Sequence, residues 1–129
     1  MNYNYNTNLD EWLIADKSCL VRYLSVARHA LVYILKASNI GNGDKVLLPE
    51  FICRDILASL VSVGAKPIWY SVGEDLRPNL PPENWPRASA VIAVNYFGFA
   101  QPLDPFNKYA LRTKALLIED NAHGFLSKD

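Results

Sequence analysis

Apolar and polar positions alternate along this chain in short blocks, and the blocks change period several times. Ala27, Ala30, Leu31, Ile34 and Leu35 recur at helical spacing and form one apolar stripe. The stripe predicts a helix that ends near Asn39, because Gly41 and Gly43 follow closely. Residues 44–49, Asp-Lys-Val-Leu-Leu-Pro, then read as a short strand closed by proline. Helical spacing returns with Ile52, Ile56, Leu57, Leu60 and Val61, and Gly64 is placed to end that helix. A second strand is predicted over 67–72 and a third over 89–94. Between them, residues 73–87 hold Pro78, Pro81, Pro82 and Pro86 and predict a loop with one helical turn near Glu83. Asp104-Pro105 reads as an N-cap followed by proline at N1, opening a helix that runs to about Arg112. Residues 114–119 predict the last strand. Upstream, residues 1–8 are rich in Asn and Tyr and predict a loosely held segment, and residues 10–15 a short helix or arm.

The predicted order is helix, strand, helix, strand, loop, strand, helix, strand. The strands are apolar throughout rather than alternating, so both of their faces are covered. That is the signature of a parallel sheet between helical layers, an α/β architecture. No internal repeat and no linker interrupts the pattern, and 129 residues suit one domain.

Composition adds exclusions more than assignments. Half of the residues are apolar, which argues against a disordered chain. Thirteen basic side chains balance thirteen acidic ones, so no electrostatic footprint points to nucleic acid or anionic lipid. Cys19 and Cys53 sit in no CxxC pair and have no His at ligand spacing, which implies neither a zinc site nor a disulfide framework and suits a reducing, cytoplasmic location. The polar N-terminus lacks the basic and apolar regions of a signal peptide. Apolar runs such as 90–94 and 115–118 are too short to cross a bilayer.

In open α/β sheets, ligands bind beyond the carboxyl ends of the strands. The end at Glu119-Asp120-Asn121-Ala122-His123-Gly124 carries the strongest chemistry. A carboxylate at that place can hold a protonated pyridinium nitrogen, and His123 can hydrogen-bond a phenolic oxygen or a substrate. The residues alone equally allow Asp120 to cap a turn and His123 to be a surface residue. The helix start at Ala27-Arg28 offers free N–H groups, the helix dipole and a cation to a phosphate, although most helix starts bind nothing. Asn95-Tyr96-Phe97-Gly98 can line a pocket, while core or interface packing is the commoner role of such aromatics.

Taken in order, five segments resemble the DegT/DnrJ/StrS-type aminotransferases, fold-type-I enzymes that depend on pyridoxal 5'-phosphate (PLP). They are 27–31, 41–49, 63–67, 94–98 and 118–124, and the likeness covers roughly residues 20–126. The resemblance implies a three-layer α/β/α fold with a mostly parallel sheet: residues 1–20 an N-terminal arm, and 21–129 part of the PLP-binding large domain. It implies that Asp120 pairs with the pyridine nitrogen and that His123 stands where the family has Gln or His near the ring oxygen. Ala27 and Arg28 take the phosphate-binding turn, where the family usually has Gly followed by Ser or Thr. The ring-stacking place, usually aromatic, falls at about Cys53, with Phe51 nearby. It further implies a keto-sugar substrate on a nucleotide carrier, an amino donor and a homodimer.

The family's Schiff-base lysine lies well downstream of the Asp120 position. Lys17, Lys36, Lys45, Lys66, Lys108, Lys114 and Lys128 do not sit in its motif. The expectation is therefore a truncated form of the enzyme, inactive on its own. The alternatives are a non-catalytic α/β module that binds a ligand or partner, and a small flavodoxin-like domain with another ligand.

Overall fold

The structure is a computed structural model and describes residues 22–124; the arm expected over 1–20, with its helix at 10–15, lies outside the described residues. The elements follow the predicted order. They are α1 (Ala27–Ala37), β1 (Lys45–Pro49), α2 (Arg54–Val63), β2 (Lys66–Tyr70), β3 (Ala90–Val94), α3 (Asp104–Thr113) and β4 (Leu116–Asp120), with single 3-10 turns at Pro82–Asn84 and Tyr96–Gly98. The four strands form one sheet in the order β2-β1-β3-β4, and every neighbouring pair is parallel.

Successive residues of a strand face opposite sides, and here both sides are covered. Val46 and Leu48 of β1, with Ala90, Ile92 and Val94 of β3 and Ile118 of β4, pack against Leu31 and Leu35 of α1 and Ile56 and Leu60 of α2. Leu47, Val91 and Ala93 point the other way, onto Phe106 and Tyr109 of α3 and onto Trp85. Trp85 comes from the proline-rich loop and stacks on Tyr70, with ring centroids 5.1 Å apart. The result is the three-layer α/β/α arrangement.

Several boundaries differ from the sequence reading, each for a local reason. Asp104 is not the N-cap of α3. Leu103 holds that place, its carbonyl accepts from Asn107 N at 2.8 Å, and Asp104 is the first helical residue. An acidic residue there still complements the helix dipole. Lys114 does not begin the last strand, because its left-handed conformation (φ 61°) ends α3 and delays β4 to Leu116. The second strand stops at Tyr70, and Val72 instead makes an isolated antiparallel bridge to Pro78. Gly64 does end α2, in a left-handed conformation.

The topology places the site. The chain leaves β1 through α2 for the outer strand β2, returns through the 71–89 loop to β3, and then moves outward on the opposite face through α3 to β4. The direction of winding therefore reverses between β1 and β3, the place where open α/β sheets bind ligands. The ladder between these two strands is short, pairing only Val46 with Ala90 and Leu47 with Val91.

Candidate functional site

Two adjoining clefts lie beyond the carboxyl ends of the strands, on the side of α1 and α2. One, of about 390 Å3, is lined by Ala27, Arg28 and Leu31 of α1, Cys53 and Ile56 of α2 and its approach, and Ile118 to Ala122. The other, of about 300 Å3, is lined by Phe51, Cys53, Tyr96, Phe97 and His123 among others. Asp120, Cys53, Ile56 and Ala122 line both. The five residues singled out from the sequence thus come together around one place. Ala27 and Arg28 border the first cleft, His123 borders the second, and Asp120 and Cys53 stand between.

Asp120 is the last residue of β4 and is half-buried. Its Oδ1 accepts a hydrogen bond from Ala122 N at 3.1 Å, so the carboxylate does cap the turn that follows. Among the described residues nothing bonds its Oδ2. The two readings open at the sequence level are therefore compatible: one oxygen shapes the turn and the other remains available to a donor. Asp120 also acts on Tyr96. Burial, reinforced by that nearby negative charge, pushes the Tyr96 phenol up to about 12 from an ordinary value near 10. The phenol donates to the carbonyl of Phe51 at 2.5 Å and so ties β3's end to the segment after β1.

His123 is exposed and stacks on Phe97, with centroids 5.9 Å apart and planes 15° from parallel. Phe97 reaches that position by an unusual backbone. Its φ is 53°, a left-handed value that a non-glycine residue adopts at a cost of about 1–2 kcal/mol. Gly98 follows at φ 88°, and an added Cβ there would meet the carbonyl oxygen of His123 at 3.4 Å. The positive φ of Gly98 favours a glycine at this turn.

At the start of α1, Val26 provides no side-chain cap. The Ala27 and Arg28 N–H groups lie too early in the helix for intrahelical acceptors, and none of the described residues supplies one. These donors border the first cleft. The Arg28 guanidinium makes a 3.2 Å ion pair with Asp55, and both side chains are more than half exposed. Such a pair holds weakly, so Arg28 can exchange Asp55 for a phosphate at little cost. Cys53 is the N-cap of α2 and carries an exposed free thiol. Phe51, the nearest aromatic, leans on Tyr96 instead, with centroids 5.7 Å apart.

A carboxylate oxygen and helix N–H groups without partners among the described residues, beside an apolar cleft of about 390 Å3, form a set of acceptor and donors that suits a small phosphorylated heterocycle. Sequence reading did not separate Asn95 from its neighbours. Its side chain is buried (2% exposed) and bonds to both residues flanking Asp120. A polar residue closing the apolar run 90–94 was the available signal.

Comparison with known proteins gives this geometry its class. Residues 17–129 match the DegT/DnrJ/EryC1/StrS aminotransferase family, and the chain belongs to it. That family is PLP-dependent and acts on sugar substrates with an amine donor. Among its relatives is the UDP-2-acetamido-2-deoxy-3-oxo-D-glucuronate aminotransferase of Pseudomonas aeruginosa, 30% identical over 101 residues, which are 74% of this chain and 28% of that enzyme. Among solved structures, S. venezuelae DesV in complex with a ketimine intermediate is 29% identical with a TM-score of 0.65, over 75% of this chain and 28% of DesV. A DegT/DnrJ/EryC1/StrS aminotransferase from Brucella abortus is 26% identical with a TM-score of 0.66, over 74% and 29%. The chain therefore spans less than a third of the length of these relatives. The fold-type-I likeness is that of a partial large domain.

Proposed function

We propose that residues 21–129 form the cofactor-binding corner of a PLP-dependent aminotransferase acting on a nucleotide-linked keto sugar. The observation that carries this reading is Asp120, which borders both clefts at the end of β4 and whose Oδ2 has no partner among the described residues. PLP, when bound, supplies the electron sink for moving an amino group. Asp120 accepts a hydrogen bond from the protonated pyridine nitrogen and keeps that proton in place. The Ala27 and Arg28 N–H groups and the Arg28 guanidinium hold the phosphate. His123 serves the ring oxygen, and Cys53 with Ile56 supplies the wall against which the ring lies.

Amino-group transfer also needs a lysine to carry the cofactor and move protons. None of the lysines among the described residues lines either cleft. Lys17 and Lys128 lie outside the described residues. On this reading the chain holds the cofactor and does not transaminate by itself. Apolar side chains exposed on and before α1, Leu24, Val26, Tyr33 and Ile34, support a homodimer, and the exposed free thiol of Cys53 supports a cytoplasmic setting.

The test is the melting temperature of the purified chain with and without PLP, since a ligand that binds only the folded state stabilises it. The expected result is a rise in wild type that is much smaller in Asp120→Ala at the same PLP concentration. Equal rises in both, or none in wild type, would sink the cofactor reading. Turnover of an amino donor by the chain alone would sink the claim of inactivity.

A further inference from the structure

Asp120 needs to point into the clefts, yet it lies in a run of three polar residues, Glu119-Asp120-Asn121, at the end of the outermost described strand. A slip of one residue would offer the Glu119 carboxylate in its place, because side chains alternate along a strand. We propose that Asn95 is the positioning residue that prevents this, by gripping both neighbours of Asp120 and so aiming Asp120 into the site.

Both polar atoms of its side chain and its backbone N–H take part. The Nδ2 amide donates to Glu119 Oε1 at 2.6 Å and to Asn121 Oδ1 at 3.2 Å. Oδ1 accepts from Gln101 N at 2.8 Å. The backbone N–H donates to the Asp120 carbonyl at 2.9 Å, the last rung of the β3–β4 ladder. The amide orientation is fixed by these partners, since Gln101 N can only donate. Glu119 and Asn121, which also border the first cleft, and Asn95, which borders the second, line with Gln101 a further cavity beside the start of α3 that Asp120 does not line. Asn95 is 2% exposed, so an unpaired amide there would be costly, and the pairing is correspondingly specific.

Two readouts on the full 129-residue chain test the proposal, and only the second rests on the PLP reading. The first is amide hydrogen exchange of Ala122 without ligand, expressed relative to Ile92 in the middle of β3. The Ala122 N–H bonds Asp120 Oδ1, so its local opening reports carboxylate placement; buried Ile92 reports overall stability, and chemical denaturation of each variant corrects the ratio for it. Asn95→Leu is expected to speed Ala122 relative to Ile92 by roughly tenfold, the scale of one charge-assisted hydrogen bond. Asn95→Asp, nearly the same size, regains the Glu119 contact only when its new carboxyl is protonated. Its exchange ratio should return towards wild type as pH falls, and it serves if the leucine variant does not fold. The second readout is PLP affinity in a double-mutant cycle with Asp120→Ala. Asn95→Leu should weaken PLP by roughly tenfold in the wild-type background and not at all in Asp120→Ala, because the effect passes through Asp120. An unchanged Ala122 to Ile92 ratio, or equal weakening in both backgrounds, would overturn the proposal. If wild type binds no PLP, or Asp120→Ala binds equally, the cofactor reading fails, and the exchange ratio alone decides the role of Asn95.

Discussion

At the residue scale, the site depends on groups whose ionisation or conformation is biased by their neighbours. Tyr96 is one. Its phenol titrates near 12 in the folded protein, against about 10 when exposed. A raised value means that the folded state holds the proton longer than the unfolded state. This contribution is complete below pH about 10 and is lost as pH rises towards 12. Urea unfolding between pH 9 and 12 should therefore show a steep loss of stability that is shallower in Tyr96→Phe. Equal slopes would place the titration elsewhere, for example in buried Tyr70, whose phenol is also raised by burial. Phe97 is the second. Phe97→Gly removes the left-handed strain and the stack together, so stability should change by less than about 1 kcal/mol. The His123 ring protons, no longer over an aromatic face, should move downfield in the NMR spectrum. Asp120 and His123 were legible as candidates because a polar pair closes an apolar strand, and both border the clefts. The strain at Phe97 was not, since nothing in Asn-Tyr-Phe-Gly says that the phenylalanine rather than its neighbour takes the positive φ.

At the scale of elements, turn chemistry decides where helices stop, and two stops make opposite predictions. Gly64 ends α2 at φ 79°, and a Cβ there would press on the Asn42 backbone at 3.1 Å. Gly64→Ala should cost about 1–2 kcal/mol. Lys114 ends α3 at φ 61° without the freedom of glycine. Lys114→Gly should stabilise by about 0.5–1 kcal/mol. Chemical denaturation of the two variants checks both signs, and a loss from Lys114→Gly would show that its side chain has another role. These two ends also mark the limit of sequence reading. Gly64 announced its stop. Lys114 resembled the first residue of a strand, because a left-handed lysine has no compositional sign. The same held for Leu103, whose place as N-cap was masked by the more usual Asp-Pro pair after it. α1, α2, β1 and β3 were legible from their apolar period or run, whereas α3 was announced by the Asp104-Pro105 pair.

At the scale of the molecule, the sheet couples the two layers that flank it. Neighbouring residues of β1, Val46 and Leu47, face opposite cores, as do Val91 and Ile92 of β3. Neither core can loosen without releasing the strands that support the other. Leu35 is fully buried on the α1 side, and Trp85 packs on the α3 side. Leu35→Ala leaves a cavity that should cost about 2–5 kcal/mol, a large part of the ~5–15 kcal/mol typical of a domain. If the layers are coupled, that loss appears on both sides of the sheet at once. Denaturation of Leu35→Ala followed by far-UV circular dichroism and by tryptophan fluorescence should give coincident transitions at a lowered midpoint. A Trp85→Phe background identifies the part of the signal that comes from the α3 layer. A fluorescence transition left at the wild-type midpoint would mean that the α3 layer holds without α1. The clefts, built from α1, α2 and three strand ends, would then open while half of the protein stayed folded.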